Sequence, residues 1–214
     1  MDLYLIRHSQ SLNNARSHAQ RVEDPPLSKL GREQGGYLAR HIVALGLTRM
    51  MVSPFLRTLQ TAELLRPATG LTHHVAVLLH EVGGCMWGPS PSEMVGRPGL
   101  TRSAIKSGFP GYEIDSRIDE WGWWQSRPYE MREQAMVRTR ELLDWTYQCF
   151  ADTTERVAYV MHGDIERLFL ECLGVTVSTV PFNASVTRLQ LASKLLHLED
   201  FNNVRHLPPE LLTV

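Results

Sequence analysis

Short apolar runs alternate with longer segments of helical periodicity, and this alternation constrains the fold more than any other feature of the chain. Leu3–Ile6 and Val157–Met161 are runs of aliphatic and aromatic residues that end abruptly at polar residues. Such runs are typical of strands buried on both faces of a parallel sheet. Strands that alternate with helices predict right-handed crossovers. We therefore predict a three-layer α/β/α fold with a mostly parallel central sheet.

Capping residues and glycines indicate where the other elements begin and end. Ser28 is a suitable N-cap for a helix that Gly46 closes, and Ser53-Pro54 opens a second helix that Gly70 ends. The further predicted elements are strands at Met50–Val52 and His74–Leu79, a helix near Tyr129–Phe150, a helix from Asp164 to Leu173, and strands at Val186–Leu191 and Leu195–Leu198. A tight turn at Ala192–Lys194 makes the last two strands an antiparallel pair, which we expect at one edge of the sheet.

One stretch, at about residues 83–128, interrupts this rhythm. It is rich in Gly, Pro and Ser and holds four of the five tryptophans, Trp87, Trp121, Trp123 and Trp124. We predict a single domain over residues 1–214, in which this stretch is an inserted cap with one short helix. Two roles stay open for the tryptophans, an apolar roof over a ligand or the cap's own small core. Cationic candidates for a second anionic group in the cap are Arg97, Arg102, Lys106 and Arg117.

Composition and charge exclude several classes of protein. A formal net charge of −1 and 43% hydrophobic residues predict a globular chain without the basic footprint of a nucleic-acid or membrane-surface binder. No apolar stretch approaches the roughly 18 residues that span a bilayer. The three cysteines are far apart and form no C-x-x-C pair, which favours reduced thiols in the cytoplasm and argues against a metal site.

Chemically active side chains follow the predicted strands. In an open α/β sheet, ligands bind beyond the carboxyl ends of the strands. Arg7 and His8 follow the first strand, Arg57 lies in the helix after the second, Glu81 follows the third, and His162 follows Val157–Met161. Two arginines, two imidazoles and a helix N-terminus suit a dianionic phosphoryl group, because the guanidinium fork matches phosphate oxygens. The set therefore predicts phosphoryl-transfer chemistry without a metal ion.

The same residues permit a covalent mechanism. A neutral imidazole can attack phosphorus in line and form a phosphohistidine, and neighbouring arginines disfavour the charged imidazolium. The leaving alcohol needs a proton, for which Glu81 is the carboxyl group at a strand end.

Several segments resemble the histidine phosphatase superfamily, also called the phosphoglycerate mutase-like family. Residues 5–14, LIRHSQSLNN, resemble its R-H-G-x-T-x-x-N signature. Asp24-Pro25-Pro26-Leu27-Ser28 is similar to its D-x-P-L-T segment, residues 53–62 to its S-P-x-x-R-x-x-Q-T-A helix start, and His162-Gly163 to its second histidine motif. The ordered set spans most of the chain.

The resemblance implies a role for each matching residue. His8 is implied as the phosphorylated nucleophile, and Arg7, Arg57 and His162 as ligands of the phosphoryl group. Glu81 is implied as the proton donor that later activates water. Asn14 and Ser9 are implied at the phosphate pocket. The expected protein is then a metal-independent phosphomonoesterase that needs no cofactor and acts on a small phosphorylated metabolite. Dimers occur in the family, which leaves a homodimer open.

Three departures from the family pattern keep other functions in view. Ser9 stands where the family has glycine, and a weakly active phosphate-binding module is one alternative. Glu81 is followed by Val-Gly-Gly rather than the E-R-x-Y-G run of the mutase branch, although a cofactor-dependent mutase stays an alternative. Asp164 follows His162 after one residue, where another branch takes its acid directly after the histidine. We expect Asp164 to cap the next helix instead.

Overall fold

A seven-stranded, mostly parallel sheet lies at the centre of the computed structural model. The structure describes residues 1–88, 90, 93–192 and 195–214. The strands are β1 (Asp2–Arg7), β2 (Arg49–Val52), β3 (His73–Val75), β4 (Met86–Trp87), β5 (Val95–Gly96), β6 (Glu113–Ile114), β7 (Arg156–Met161), β8 (Val186–Ala192) and β9 (Leu195–Asn203). The order across the large sheet is β6-β3-β2-β7-β1-β8-β9, and β4 and β5 form a separate hairpin. The pairs from β6 to β1 are parallel, while β8 and β9 are antiparallel additions.

Helices cover both faces of the sheet. They are α1 (Lys29–Ile42), α2 (Leu56–Thr69), α3 (Arg102–Gly108), α4 (Arg132–Phe150) and α5 (Gly163–Cys172). Successive residues of β1 point to opposite faces, so Tyr4 packs in the core under α1 and α2, and Leu5 packs in the core under α4 and α5. This arrangement confirms the predicted three-layer class. None of the helices in the described part of the chain is both long and apolar enough to cross a bilayer.

Most predicted elements are present, with shifted boundaries. The third strand is wrong in its length, because it ends at Val75 and the chain continues as a 3₁₀ turn over Val77–Leu79. Ser53 is not a helix cap, since α2 begins at Leu56. The predicted antiparallel pair lies at the sheet edge, as β8 and β9. Its predicted turn at Ala192–Lys194 includes residues 193 and 194, which lie outside the described residues.

The insertion does more than cover the sheet. Its described residues include the short helix expected, α3, but the insertion also returns to the sheet, because Glu113 and Ile114 pair with β3 as the edge strand β6. Its hairpin of β4 and β5 lies beyond the third strand end. Glu81 lies between β3 and β4 in the chain, so the loop that follows it connects the main sheet to this hairpin.

Candidate active site

A cavity of about 270 Å³ opens at the carboxyl ends of the parallel strands. β1 ends at Arg7, and the segment after β3 leads to Glu81, while Arg57 comes from the first turn of α2. The site residues that line the cavity are Arg7, His8, Asn14, Arg57 and Glu81. His162 lies behind His8, fully buried, with their ring centroids 5.1 Å apart. The adjacent carboxyl ends of the parallel strands thus bring together side chains that lie up to 155 positions apart in sequence.

Both nitrogens of the His8 ring have defined partners. Nδ1–H donates to the carbonyl oxygen of Ser9 at 2.7 Å, and Nε2 accepts from Nε of Arg57 at 3.2 Å. These contacts fix the tautomer in which Nε2 carries the lone pair. Burial lowers the pKa of His8 well below its usual value, and Arg57 and Arg7 lower it further. A neutral imidazole with an accepting Nε2 is the form that a nucleophile requires.

Arg7 is held at the start of α5. Its Nη1 donates to the carbonyl oxygen of Pro181, and its Nε is buried without a hydrogen-bond partner among the described residues. A Cβ placed on Gly163 would lie 2.9 Å from Val180 Cγ1 and 3.4 Å from Arg7 Nε. Glycine at 163 therefore lets the first turn of α5 approach the guanidinium of Arg7, a residue that also lines the cavity.

Asp24 holds Arg57 and caps its helix. The Asp24 carboxylate accepts from the backbone N–H of Leu56 at 2.9 and 3.2 Å, so Asp24 rather than Ser53 caps the N-terminus of α2. It also lies 4.0 Å from Nη1 of Arg57. The guanidinium carbon of Arg57 sits 4.0 Å from the Phe55 ring centroid. Burial raises the pKa of Asp24 to about 7, although Arg57 opposes this shift.

Ser53 instead supports the second histidine. Its hydroxyl lies 2.7 Å from Nε2 of His162, and both residues are fully buried. Burial lowers the pKa of His162 well below its usual value, followed in effect by Arg57 and His8. Nδ1 of His162 is buried and has no partner in the part of the chain that the structure describes. It therefore retains hydrogen-bonding capacity beside the His8 ring.

Glu81 caps the N-terminus of α5, the role predicted for Asp164. Its carboxylate accepts from the backbone N–H groups of Val82 (2.9 Å), Ile165 (3.0 Å) and Asp164 (3.3 Å), so it caps α5 across the cavity. His162 is the N-cap residue by backbone position, and the prediction that Asp164 caps this helix is wrong. Burial raises the pKa of Glu81, and the neighbouring Asp164 charge raises it further. A protonated carboxyl group at the cavity wall can donate to a leaving oxygen.

Asn14 and Ser9 differ in placement. Asn14 lines the cavity, and its Oδ1 accepts from the backbone N–H and the hydroxyl of Ser11. Ser9 is fully buried and is absent from the cavity wall. Its hydroxyl lies 3.5 Å from a Cβ built on Gly35, and its N–H donates to Thr61. The Ser9 side chain therefore points between α1 and α2 rather than into the cavity, and its predicted role at the phosphate pocket stays a prediction.

The mouth of the cavity departs from the predicted cap. Trp123 and Trp124 are buried beside His80, so they belong to the protein core, whereas Trp121 is 79% exposed. Trp87 lines the cavity. The predicted cationic residues Arg97, Arg102, Lys106 and Arg117 are absent from its wall, and Arg21 is present. Sequence reasoning missed Arg21, although it lies three residues before Asp24 of the recognised D-x-P-L-S segment.

Comparison with known proteins agrees with this geometry. The family model described as "Histidine phosphatase superfamily (branch 1)" matches residues 3–204. The chain belongs to the histidine phosphatase superfamily. This finding confirms both the resemblance seen in the sequence motifs and the prediction of an enzyme of the histidine phosphatase class.

Solved structures of other proteins share the fold of this chain. A mycobacterial glucosyl-3-phosphoglycerate phosphatase in complex with VO3 is 23% identical, with a TM-score of 0.64 over 95% of this chain and 99% of that chain. A phosphoserine phosphatase variant from Entamoeba histolytica, in complex with phosphoserine, is 20% identical, with a TM-score of 0.65 over 97% and 99%.

Among curated proteins, the probable phosphoglycerate mutase GpmB of Yersinia pestis is 36% identical over 72 residues. That match spans 34% of each chain, about a third of the relative's length.

Proposed function

We propose that this histidine phosphatase hydrolyses a small phosphomonoester through a phosphohistidine at His8. The observation that carries the proposal is the pair of contacts on the His8 ring, from Nδ1 to the Ser9 carbonyl and from Arg57 to Nε2. They orient a neutral imidazole with its lone pair toward the guanidinium that binds the phosphoryl group. Histidine phosphorylation requires this orientation and protonation state.

In the first step, the dianionic phosphoryl group lies between Arg7 and Arg57. A phosphoryl oxygen accepts the hydrogen bond from Nε of Arg57 in place of His8 Nε2, which leaves the lone pair of Nε2 free to attack. His8 Nε2 forms a bond to phosphorus while the bond from phosphorus to the alcohol oxygen breaks. Glu81 gives its proton to the departing alkoxide, because its raised pKa keeps it protonated above the usual range of a glutamic acid. Nδ1–H of the buried His162 donates a hydrogen bond to a phosphoryl oxygen, on which negative charge develops.

In the second step, water replaces the alcohol. The ionised Glu81 carboxylate takes a proton from this water, whose oxygen attacks phosphorus as the bond to Nε2 breaks. Inorganic phosphate leaves, and both His8 and Glu81 return to their starting protonation states. In this proposal the two arginines neutralise the phosphoryl charge and no metal ion takes part.

A phosphoglycerate-type mutase is the second candidate, because the match of 36% identity is to a protein named as a mutase. A mutase returns the phosphoryl group to substrate and is primed by a bisphosphate. Activation by 2,3-bisphosphoglycerate, with conversion between 2- and 3-phosphoglycerate that exceeds phosphate release, would favour the mutase. The binding-only alternative is less well supported, since the Ser9 hydroxyl packs between helices and leaves the phosphate space free.

Phosphate release from p-nitrophenyl phosphate in the presence of a chelator tests the proposed activity. The unaltered protein is expected to turn over this substrate, and His8→Ala to lose at least about a thousandfold in kcat, as removal of a covalent nucleophile does elsewhere. Asn13→Ala is the matched control, because it removes from the same cavity wall a polar side chain that bonds to Val22 and not to His8. Turnover that the chelator abolishes, or that survives in His8→Ala, would contradict the phosphohistidine mechanism.

We also propose a cytoplasmic location, where the three free thiols of Cys85, Cys149 and Cys172 stay reduced. The homodimer left open by the family resemblance is tested by sedimentation equilibrium of the full chain.

A further inference from the structure

Exposed aromatic rings stand at the mouth of the cavity, above the proposed phosphoryl site. Trp87 is 41% exposed and Tyr129 is 48% exposed, and both line the cavity. Large aromatic side chains are usually well buried, so two half-exposed rings on one cavity rim are informative. Met86 and Met94, whose flexible thioethers adapt to a neighbouring surface, line the same wall.

The Trp87 ring is fixed from one side. The guanidinium carbon of Arg97 lies 4.9 Å from the Trp87 ring centroid, and Nε of Arg97 forms an ion pair with Glu23 at 3.3 Å. The backbone of Trp87 is also held, because it pairs with Val95 in the hairpin of β4 and β5. An aromatic ring braced by a cation on one face offers a stationary surface to a ligand in the cavity.

Tyr129 packs on the loop that follows Glu81. A Cβ placed on Gly83 would lie 2.6 Å from Cε2 of Tyr129, so this ring packs directly on the glycine. Gly83 has φ of +93°, which suits glycine and allows the loop to turn beneath the ring. Both rings therefore line the same cavity as Glu81, the proposed proton donor. The leaving alcohol must sit in that cavity, next to the Glu81 carboxyl group.

From this arrangement we infer that the leaving-group subsite takes a planar aromatic or heteroaromatic ring, stacked on Trp87. Stacked rings gain attraction beyond their buried area, whereas a saturated ring of equal size gains only the burial. The inference rests on the proposed phosphomonoester function and adds the chemical class of the alcohol. Trp87 is then a specificity-determining residue rather than a catalytic one.

Calorimetry with two non-hydrolysable ligands tests the subsite on the full chain. Benzylphosphonate and cyclohexylmethylphosphonate have the same anionic group and similar apolar bulk but differ in planarity. We expect the unaltered protein to bind the benzyl ligand more tightly, with a preference of about three- to tenfold. Trp87→Ala should remove the preference, and Trp87→Phe should retain part of it. Trp121→Ala is the matched control, since that ring is exposed away from the cavity.

The outcomes separate this inference from the proposed function. Equal affinity of the two phosphonates, or a preference that Trp87→Ala leaves unchanged, would overturn the subsite. A preference lost in Trp87→Ala and kept in Trp121→Ala supports it. If the protein prefers benzylphosphonate but never hydrolyses benzyl phosphate, the proposed hydrolysis fails while the ring subsite stands.

Discussion

Glu166 provides a prediction whose magnitude follows from the structure. This residue of α5 is fully buried, accepts a hydrogen bond from the Thr187 hydroxyl at 2.6 Å, and has a second carboxyl oxygen without a partner among the described residues. Burial raises its pKa to about 8, against smaller opposing effects of Thr187 and Arg7. At neutral pH it is therefore a protonated acid beside Arg7, which leaves the arginine's charge free for phosphate.

A raised pKa in the folded state makes stability depend on pH in a defined direction. The unfolded chain releases the Glu166 proton near pH 4.3, but the folded chain retains it up to about pH 8. The folded state binds more protons between these values, so its stabilisation is complete below about pH 4 and is lost as pH rises toward 8. From about pH 5.5 to about pH 8, this single group should lower the free energy of unfolding by about 3 kcal/mol.

Glu166→Gln removes this titration and keeps the shape and the acceptor for Thr187. The free energy of unfolding is measured by urea titration for both proteins at about pH 5.5 and about pH 8. The variant should gain about 3 kcal/mol on the unaltered protein between the two pH values, because every other group titrates in both. Identical pH dependence of the two proteins would refute the protonated, buried Glu166.

Three further predictions concern the cavity. Ser53→Ala leaves a nitrogen of buried His162 without its partner and should lower kcat/KM about tenfold at unchanged fold, as measured by steady-state kinetics and circular dichroism; an unchanged kcat/KM would count against this contact. The acid limb of the kcat/KM profile should lie below about pH 6.5, because burial, Arg57 and Arg7 lower the pKa of His8, and an acid limb above the ordinary histidine value would contradict this. Arg21→Ala should raise KM for 3-phosphoglycerate more than for phenyl phosphate, since Arg21 lines the cavity mouth; equal changes would remove Arg21 from recognition of a second anion.

The architecture could be predicted because local sequence patterns indicate the buried strands and the helix ends. β1 and β7 contain continuous apolar runs. Gly46 ends the 3₁₀ turn that follows α1, and Gly70 ends α2, each in a left-handed conformation. Such signals depend only on neighbouring residues. The edge strand β6 was missed because two residues, Glu113 and Ile114, carry no periodicity of their own and pair only where β3 is already in place.

The site divides along the same line. His8 and His162 follow strands, so the strand-end rule brings them together. The start of α2 was misplaced because its cap is Asp24, which reaches Leu56 from 32 positions away. Glu81 caps α5 by a similar long-range contact, which no local cap pattern around Asp164 indicates. Contacts between a loop carboxylate and the N-terminus of a helix distant in sequence are the part that local patterns do not indicate.

Direct detection of the covalent intermediate tests the central claim most sharply. Glu81→Gln is mixed with p-nitrophenyl phosphate, whose leaving group needs no proton, so the first step proceeds while the attack of water is slowed. The reaction is stopped in base, where a phosphorus–nitrogen bond survives, and the peptides are analysed by mass spectrometry. The mechanism predicts one phosphoryl group on the peptide that contains His8, with none in the doubly altered His8→Ala, Glu81→Gln protein. A phosphoryl group on another residue, or turnover with no phosphorylated enzyme, would contradict it.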